Sequence, residues 1–466
     1  MITKSKNIQS EILMTTMEEI VPENSLFRKI DKYIDFTFIY DKVEGLYCKN
    51  NGRPGIDPIV LFKIVFIQAL DGIKSMRQTC KKIKVDAEYR WFLGIPFGKD
   101  TPHFSTFSKN YERRFKDSDI FEEIFVEIVN QAIKYNLVDG TTFYTDSTHK
   151  KANANKNKYE DEIVEVVKER RKWLEEEINE ERIKQGRKPF EYKEEKEKKH
   201  IKVSTTDKES GYYHRDNKEK GFMYLDHRTV DDKCNIIVDA YVTKGSVHDS
   251  GPFIERAEHI KNEYGFNIEK YAVDSGYLTL DIKKYFIDNN IFGVFGYRRY
   301  GTQESRKEKS KFKYVKELDI YYEKETGEVL EYKGLIDKNG YKTYINLDKT
   351  KKVRRHIHEE WNEIFRNNRL SKEGKELYQK RKEHVERSFA DSKQNHGYRY
   401  AMYKGVKKNQ HYTWLICAAQ NMKNIAIKND NVGKKPLTLS YNSYNFVKIL
   451  KNIIKFLFIR KPLEKI

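Results

Sequence analysis

The sequence predicts a mixed α/β protein in which helices come first and a strand-rich core with a mixed (α+β) sheet follows. Two observations support this fold class. Apolar residues recur at helical spacing over the first hundred or so residues, and from Thr141 onward they recur at the spacing of strands. With 38% hydrophobic and 13% aromatic residues, the composition is that of a folded chain. At 466 residues the chain exceeds the usual size of one domain, so we expect a core with added modules.

The clearest helix of the N-terminal part has the sequence PIVLFKIVFIQAL. Asp57 precedes it as a predicted N-cap, Pro58 occupies its first turn, and Gly72 follows its end. The helix is apolar nearly all round, so we expect it to be buried.

Shorter helices follow, with the sequences SMRQTCKKIK, AEYRWFLG and HFSTFSKNYERRF. The last is predicted to start at Thr101 and Pro102, and Arg113 and Arg114 lie in its final turn. Short helices that end in a basic one resemble a helix-turn-helix, so we predict an all-α DNA-binding domain over residues 1–125. A plain helical bundle with solvated Arg and Lys fits the same pattern about equally well.

The core begins with three predicted strands, TTFYTD, FMYLDHRTV and NIIVDAYVT. A helix (GPFIERAEHIKNEYG), a strand (EKYAVD), a second helix (DIKKYFIDNN) and a strand (IFGVFGY) follow. This succession is the ribonuclease H order, so we predict a ribonuclease H-like core over residues 138–300 and 371–428.

Two insertions and a tail complete the organisation. Residues 151–202 are rich in Lys and Glu, with apolar residues at roughly helical spacing, and predict an inserted helical pair. Residues 301–370 mix short strands with turn signals and predict a small β-containing insertion. Residues 429–466 form a basic tail that either packs against the protein or contacts DNA or a second subunit.

The charge of the chain points to an anionic partner. Ninety Lys and Arg against 71 Asp and Glu give a formal net charge of +19, for which nucleic acid is the leading explanation. A generally Lys-rich proteome is the alternative explanation of the positive charge.

No apolar stretch predicts a signal peptide or a membrane span. The four cysteines lack zinc-ligand spacing, so we expect no zinc and a reducing cytoplasm; they are Cys48, Cys80, Cys234 and Cys417.

Three acids are candidate metal ligands. Asp146 and Asp274 each end a predicted strand, and neighbouring strands would bring both carboxylates to one edge of the sheet. A third acid has to come from a later helix, GKELYQKRKEHVERSFADSKQ, where Glu386 is the candidate. Carboxylate oxygens suit Mg²⁺ or Mn²⁺, and two such ions activate the nucleophile and stabilise the leaving oxygen in phosphodiester cleavage. For that helix alone, a solvated face with charges of both signs is the better interpretation.

Several blocks of the sequence resemble the DDE transposases of bacterial insertion sequences, in the branch with an InsH-like N-terminal domain. The N-terminal blocks are GRPGIDPIVLFKIVFIQALDGIKSMRQTC, EYRWFLGIP and TPHFSTFSKNYERRF, and the core blocks are YTDSTHKKANANK, STTDKESGYYHRDNKEKGFMYLDHRTVD and YAVDSGY. The resemblance runs from about Asn51 to Asn424 and implies a DNA transposase. It also implies that Asp146, Asp274 and Glu386 coordinate metal.

The third family motif reads Tyr, two residues, Arg, three residues, Glu, six residues, Lys. Tyr378, Arg381, Glu386 and Lys393 match it, except that four residues separate Arg381 from Glu386, and strict spacing would select Lys382. Either cation is therefore a candidate. By resemblance Lys393 positions phosphate. The full set of candidate DNA contacts is Tyr378, Arg381, Lys382, Lys393, His149, Lys150, Arg113 and Arg114.

The expected partners are the terminal inverted repeats of a transposon and target DNA, with a homodimer assembled on two DNA ends. Two other functions remain open: a transposase-derived DNA-binding protein that no longer cuts, and a nuclease of the same fold.

His248 and Asp249 also match a family segment, but a turn and N-cap before the helix at Pro252 is the preferred interpretation. Trp414 and Cys417 lie on an apolar helix stripe and are predicted to be core.

Overall fold

The computed structural model describes residues 14–48, 55–214, 219–298 and 309–434. The described part of the N-terminal region is helical up to residue 134. Its helices are α1 Met17–Ile20, α2 Leu26–Tyr33, α3 Phe38–Val43, α4 Pro58–Leu70, α5 Met76–Val85, α6 Ala87–Leu93, α7 Ser105–Asn110 and α8 Ile120–Lys134.

Helix α4 begins as its sequence predicts. The Asp57 side chain accepts hydrogen bonds from the backbone N–H groups of Ile59 and Val60, and most of the helix is buried. Gly72 follows with a φ of +57°, a left-handed conformation that glycine adopts without a steric penalty. The predicted start at Thr101 and Pro102 is wrong, because α7 begins three residues later and continues as a π turn over Tyr111–Phe115.

The next strands are β1 Thr142–Lys151, β2 Tyr159–Val167, β3 Lys196–Ser204, β4 Gly211–Tyr213, β5 Gly221–Asp231, β6 Ile237–Lys244, β7 Lys270–Val273 and β8 Phe292–Phe295. Six of them form one mixed sheet in the order β4, β5, β1, β7, β8, with β6 also paired to β5. Strands β1, β7 and β8 are parallel, and β5 is antiparallel to β1. The fold is therefore mixed α/β.

The first insertion differs from the predicted helical pair. Strands β2 and β3 form a separate antiparallel ribbon, and between them in the chain lies one helix, α9 Lys172–Lys184. The β-branched residues Ile163, Val166 and Val167, whose spacing fits a helix, lie in β2 instead. Pairing with the facing strand outweighs the weak helical period here.

The second insertion contains a five-stranded antiparallel sheet whose strands follow one another in space as in sequence. These strands are β9 Phe312–Val315, β10 Ile320–Glu323, β11 Val329–Ile336, β12 Tyr341–Ile345 and β13 Lys352–His356.

The remaining helices are α10 Phe253–Tyr264, α11 Leu280–Asp288, α12 Glu359–Leu370, α13 Lys372–Lys380, α14 Arg387–Asn395 and α15 Val406–Asn431. Helix α15 packs against α2, α4, α8 and β6, so the N-terminal helices and the sheet share one hydrophobic core. Cys417 is fully buried in that core and Trp414 packs against it, as predicted.

The predicted tail lies outside the described residues from position 435 onward. Among the described residues, no helix combines the length and the apolar character needed to cross a membrane.

Candidate active site

The register of the central sheet brings two of the three acids to neighbouring positions. Strands β1 and β7 run parallel with Thr145 opposite Val273. The residue after each of these two is an aspartate, Asp146 after Thr145 and Asp274 after Val273. Asp274 leaves the sheet at this point and precedes a short 3₁₀ turn, Ser275–Tyr277. Asp146 does not end its strand as predicted, because β1 continues to Lys151 by pairing with β5 alone. The two carboxylates are nevertheless close enough for Asp274 to act on the pKa of Asp146.

One guanidinium connects the first acid to the third. Arg381 forms an ion pair with Asp146 at 3.1 Å (Nη1 to Oδ2) and a hydrogen-bonded pair with Glu386 at 2.8 Å (Nη2 to Oε1). The Arg381 side chain is 9% exposed, whereas those of Asp146 and Glu386 are 20% and 43% exposed. The carboxylates therefore remain open to solvent on the side away from the arginine.

A π turn explains why Arg381 reaches Glu386 although an additional residue separates them. Residues Lys382–Glu386 form this turn between α13 and α14, and the Glu386 N–H donates to the Arg381 carbonyl, five residues earlier, at 3.3 Å. A π turn accommodates one more residue than an α-helical turn without ending the helix. Of the two candidate cations, Arg381 is the one buried between the carboxylates, whereas Lys382 is exposed.

Tyr378 and Gly296 lie next to the Asp274 carboxylate. The Tyr378 hydroxyl donates to Asp274 Oδ1 at 3.4 Å. Gly296 follows β8, and a Cβ at this position would lie 2.7 Å from both the Tyr378 hydroxyl and the Ser275 nitrogen, and 2.9 Å from Asp274 Oδ1. Sequence reasoning missed Gly296. The available signal was its place directly after a strand that pairs with β7, which puts it level with Asp274.

Burial and neighbouring charges act together on Asp146. Burial raises its pKa to about 6, the Arg381 guanidinium opposes that rise, and the carboxylates of Asp274 and Asp249 add to it. The preferred interpretation of Asp249 as an N-cap is wrong, because no side chain caps α10. Asp249 instead accepts a hydrogen bond from the Ser147 hydroxyl at 2.7 Å.

His248, by contrast, makes the local turn that was expected. Its Nδ1 lies 2.7 Å from the Ser250 hydroxyl and accepts from the Ser250 N–H at 3.3 Å.

Lys393 lies on the same side of the sheet as Asp146. Its ammonium donates to the hydroxyl of Thr148, two residues after Asp146 on the same face of β1. Burial lowers the pKa of Lys393, and the Arg228 guanidinium nearby lowers it further. Lys393 is thus a partly buried cation close to the acids.

A buried arginine fixes the helix that follows the π turn. Arg228 lies opposite Asp146 on β5, pairs with Asp226, and donates through Nη1 to the hydroxyls of Ser388 and Ser392 on α14 at 3.1 and 2.7 Å. Sequence reasoning missed this residue, although a charged pair inside the apolar strand FMYLDHRTV was visible. The strand beside Asp146 and the helix after Glu386 are thereby linked in the interior.

The other predicted DNA contacts have different surroundings. Lys150 is fully buried, with its ammonium donating to the Tyr398 hydroxyl at 3.1 Å, so DNA cannot reach it without a rearrangement. The His149 ring lies against Tyr213, with centroids 3.8 Å apart. In the N-terminal region, Arg113 is exposed.

Arg114 is less available than Arg113. Its guanidinium lies 4.5 Å from the centre of the Tyr47 ring and also donates to the Asn110 side chain.

The chemistry of the three acids fits a hard divalent cation, because all their donor atoms are carboxylate oxygens. They are not assembled around a single point: among the described residues, no three acidic, histidine or cysteine side chains are grouped closely enough to hold one ion. In this conformation the Arg381 guanidinium lies between Asp146 and Glu386 and forms an ion pair with each of them. Its single positive charge does not balance two carboxylates.

Two family models match separate segments of the chain, and both describe transposase domains. A family model described as a transposase domain (DUF772) matches residues 15–113, and one described as a transposase DDE domain matches residues 342–426. The second range contains Tyr378, Arg381, Glu386 and Lys393, whereas Asp146 and Asp274 lie outside both ranges. No curated protein matches the chain.

One solved structure that is similar to the chain is a piggyBac transposase synaptic complex with hairpin DNA, determined by cryo-electron microscopy. The identity is 10% and the TM-score 0.33, over 94% of this chain and 81% of that one, which is too weak a likeness to support an inference. The two family matches carry the assignment. Because a transposase domain is followed in the same chain by a transposase DDE domain, the chain is a DNA transposase, and both matches are consistent with the DDE, insertion-sequence type.

Proposed function

We propose that this transposase cleaves DNA at transposon ends and joins the freed ends to target DNA, with Asp146, Asp274 and Glu386 as ligands of two Mg²⁺ or Mn²⁺ ions. The observation that carries the proposal is the double contact of Arg381, which links an acid on β1 to an acid on the helix inside the matched DDE domain. Asp274 joins them through the register of β1 and β7.

The proposed core is ribonuclease H-like. The support is the strand order, in which β1 lies at the centre, β5 and β6 follow antiparallel on one side, and the parallel strands β7 and β8 lie on the other. In such a core, acids at the ends of neighbouring strands and on a later helix share one edge. The described N-terminal helices are proposed as the part that recognises the inverted repeats, with exposed Arg113 as one contact.

Each residue of the proposed active site has a distinct role. When bound, the metal ions activate the attacking hydroxyl and neutralise charge on the leaving oxygen. Asp146, Asp274 and Glu386 hold the ions, and Tyr378 keeps the Asp274 carboxylate oriented through its hydroxyl. Lys393, which is held over Thr148, contacts the phosphate next to the scissile bond.

Arg381 pairs with protein acids before DNA binds and with DNA afterwards. Without DNA it forms ion pairs with Asp146 and Glu386, and with DNA present its planar guanidinium is suited to two oxygens of one phosphate. The same side chain thus keeps the acids together and then helps to position the substrate.

Cleavage of a labelled DNA fragment that carries the element's own ends tests the proposal. Asp146→Asn is expected to abolish Mg²⁺-dependent cleavage and to leave DNA binding in a gel-shift assay unchanged. Asp139→Asn is a suitable control, because it changes an exposed aspartate that lies before β1 begins at Thr142. Cleavage that persists in Asp146→Asn would contradict the site.

A second assay separates a transposase reaction from hydrolysis alone. A pre-cleaved transposon end is incubated with a target plasmid and Mg²⁺, and the expected product is the end joined to the plasmid. Cleavage without joined product would favour a nuclease of the same fold, and binding without cleavage would favour a transposase-derived DNA-binding protein. Paired joining of two ends in one complex would support a dimer.

A further inference from the structure

The chain that follows the third acid runs alongside the second half of β1. Lys393 on α14 contacts Thr148, and after the helix ends, the Ala401 N–H donates to the Lys151 carbonyl at 2.7 Å. A strand rises by 3.2–3.4 Å per residue, so these contacts follow β1 for about 16 Å beyond Asp146. The second half of β1 and the segment from Lys393 to Ala401 therefore run side by side away from Asp146, and we call this pair of segments the wall.

At the far end of this wall lies an open groove of about 600 Å³. One side is the segment that continues from β1, with Asn153 and Asn155, and the other side carries Tyr400 and Lys404. Amide side chains of this kind make hydrogen bonds to phosphate and sugar oxygens in protein–DNA interfaces. The groove thus has polar walls and is in line with the acids.

The groove contains an exposed aromatic ring. Tyr400 is 59% exposed, and the Lys151 ammonium lies 5.2 Å from the centre of its ring. A large exposed aromatic beside cations is a platform on which an unpaired base can stack. Bases inside a duplex are already stacked on each other, so such a ring favours a single strand.

Two acidic side chains along the same wall already have hydrogen-bonding or ion-pair partners in the protein. Glu219 pairs with Lys151 at 2.6 Å, and the Glu209 carboxylate accepts from the N–H of Val406 at the start of α15 at 2.6 Å. Lys404 lines the groove and is exposed, so it can offer its charge to a phosphate.

We propose that this groove binds a single-stranded segment of DNA that continues from the scissile phosphate, with a base stacked on Tyr400 and a phosphate held by Lys404. The proposal rests on the proposed function of the three acids for the direction of the strand. It adds a binding site for unpaired nucleotides, which the match to a DDE domain does not assign.

Binding measurements in the Asp146→Asn background test the groove without any cutting. Two fluorescent probes are compared by anisotropy: a short blunt duplex, and the same duplex with a single-stranded thymidine extension. The parent is expected to prefer the extended probe. Tyr400→Ala should reduce that preference about tenfold, whereas Tyr400→Phe, which retains the ring, should preserve it. Lys404→Met should lower the salt dependence of binding to the extended probe by about one counterion.

Tyr341→Ala serves as the matched control, because Tyr341 is also exposed, at 39%, but lies in the sheet of the second insertion. An equal loss of affinity for both probes, or no loss for either, in Tyr400→Ala would overturn the proposal. Because cleavage is absent from this assay, persistence of cutting in Asp146→Asn would refute the metal-ligand assignment and leave the stacking result as it stands.

Discussion

Arg381 donates to the Glu386 carboxylate at 2.8 Å across a turn in which the Glu386 N–H bonds back to the Arg381 carbonyl. The side-chain pair and the backbone bond join the same two residues, five positions apart. Their geometry is that of a helix with one additional residue inserted, and it reconciles the sequence of this chain with the shorter family spacing. Several consequences can be measured.

Deletion of Lys382 should be tolerated. It removes one exposed residue from the π turn, so that an α-helical turn can replace it and keep Arg381 and Glu386 on the same face. We expect cleavage of labelled transposon ends to be retained.

Deletion of Ala390, which is also exposed, is the matched control for the Lys382 deletion. It lies within α14, so its loss would rotate Lys393 by about 100° relative to Glu386 and should abolish cleavage. Equal damage from both deletions would contradict the role assigned to the π turn.

Gly296→Ala should impair cleavage more than it impairs folding. The new methyl group would meet the Tyr378 hydroxyl, the Ser275 nitrogen and the Asp274 carboxylate at 2.7–2.9 Å, so at least one of them must move. We expect cleavage to fall by about 10- to 100-fold, as for other changes beside a metal ligand. Gly98→Ala, where a Cβ meets nothing within 4 Å, should leave cleavage unchanged. A normal rate in Gly296→Ala would count against Asp274 as a ligand.

Lys150→Met should leave DNA affinity and its salt dependence unchanged, because the ammonium is fully buried. Its effect should appear in stability. Burial lowers the pKa of Lys150 to about 7, whereas the pKa of a lysine in the unfolded chain is about 10.4. Between these values the unfolded chain binds the additional proton, so the parent gains stability as pH rises from 7 to 10.

Urea unfolding at both ends of this pH range compares the parent with Lys150→Met. The stability advantage of Lys150→Met should be largest at pH 7 and below and should shrink toward pH 10. An advantage that does not change with pH would show that Lys150 stays charged in the folded protein.

Asp226→Ala should destabilise the fold strongly. Asp226 and Arg228 are both fully buried, and loss of the carboxylate leaves the guanidinium without its counter-ion. The expected loss is about 3–5 kcal/mol in the free energy of unfolding, measured with urea. Asp226→Ala combined with Arg228→Met should recover part of that loss. Asp117→Ala, which breaks the exposed pair with Lys407, should change stability little.

The sequence by itself determined the features that depend on local chemistry and chain order. The N-cap at Asp57, the succession of core strands and the end of β7 directly before Asp274 could all be read from residues near one another in the chain. Such signals survive folding because the backbone periods of helices and strands are set locally.

Only the tertiary structure decided which residues meet. It selected Arg381 rather than Lys382 as the partner of the acids, because a π turn lies between α13 and α14, and such a turn leaves no distinct mark in the residue pattern. It also buried Lys150, placed Ile163, Val166 and Val167 of the first insertion in a strand, and set Gly296 against Tyr378. Each of these depends on contacts between segments far apart in the sequence, whose energies outweigh local propensity.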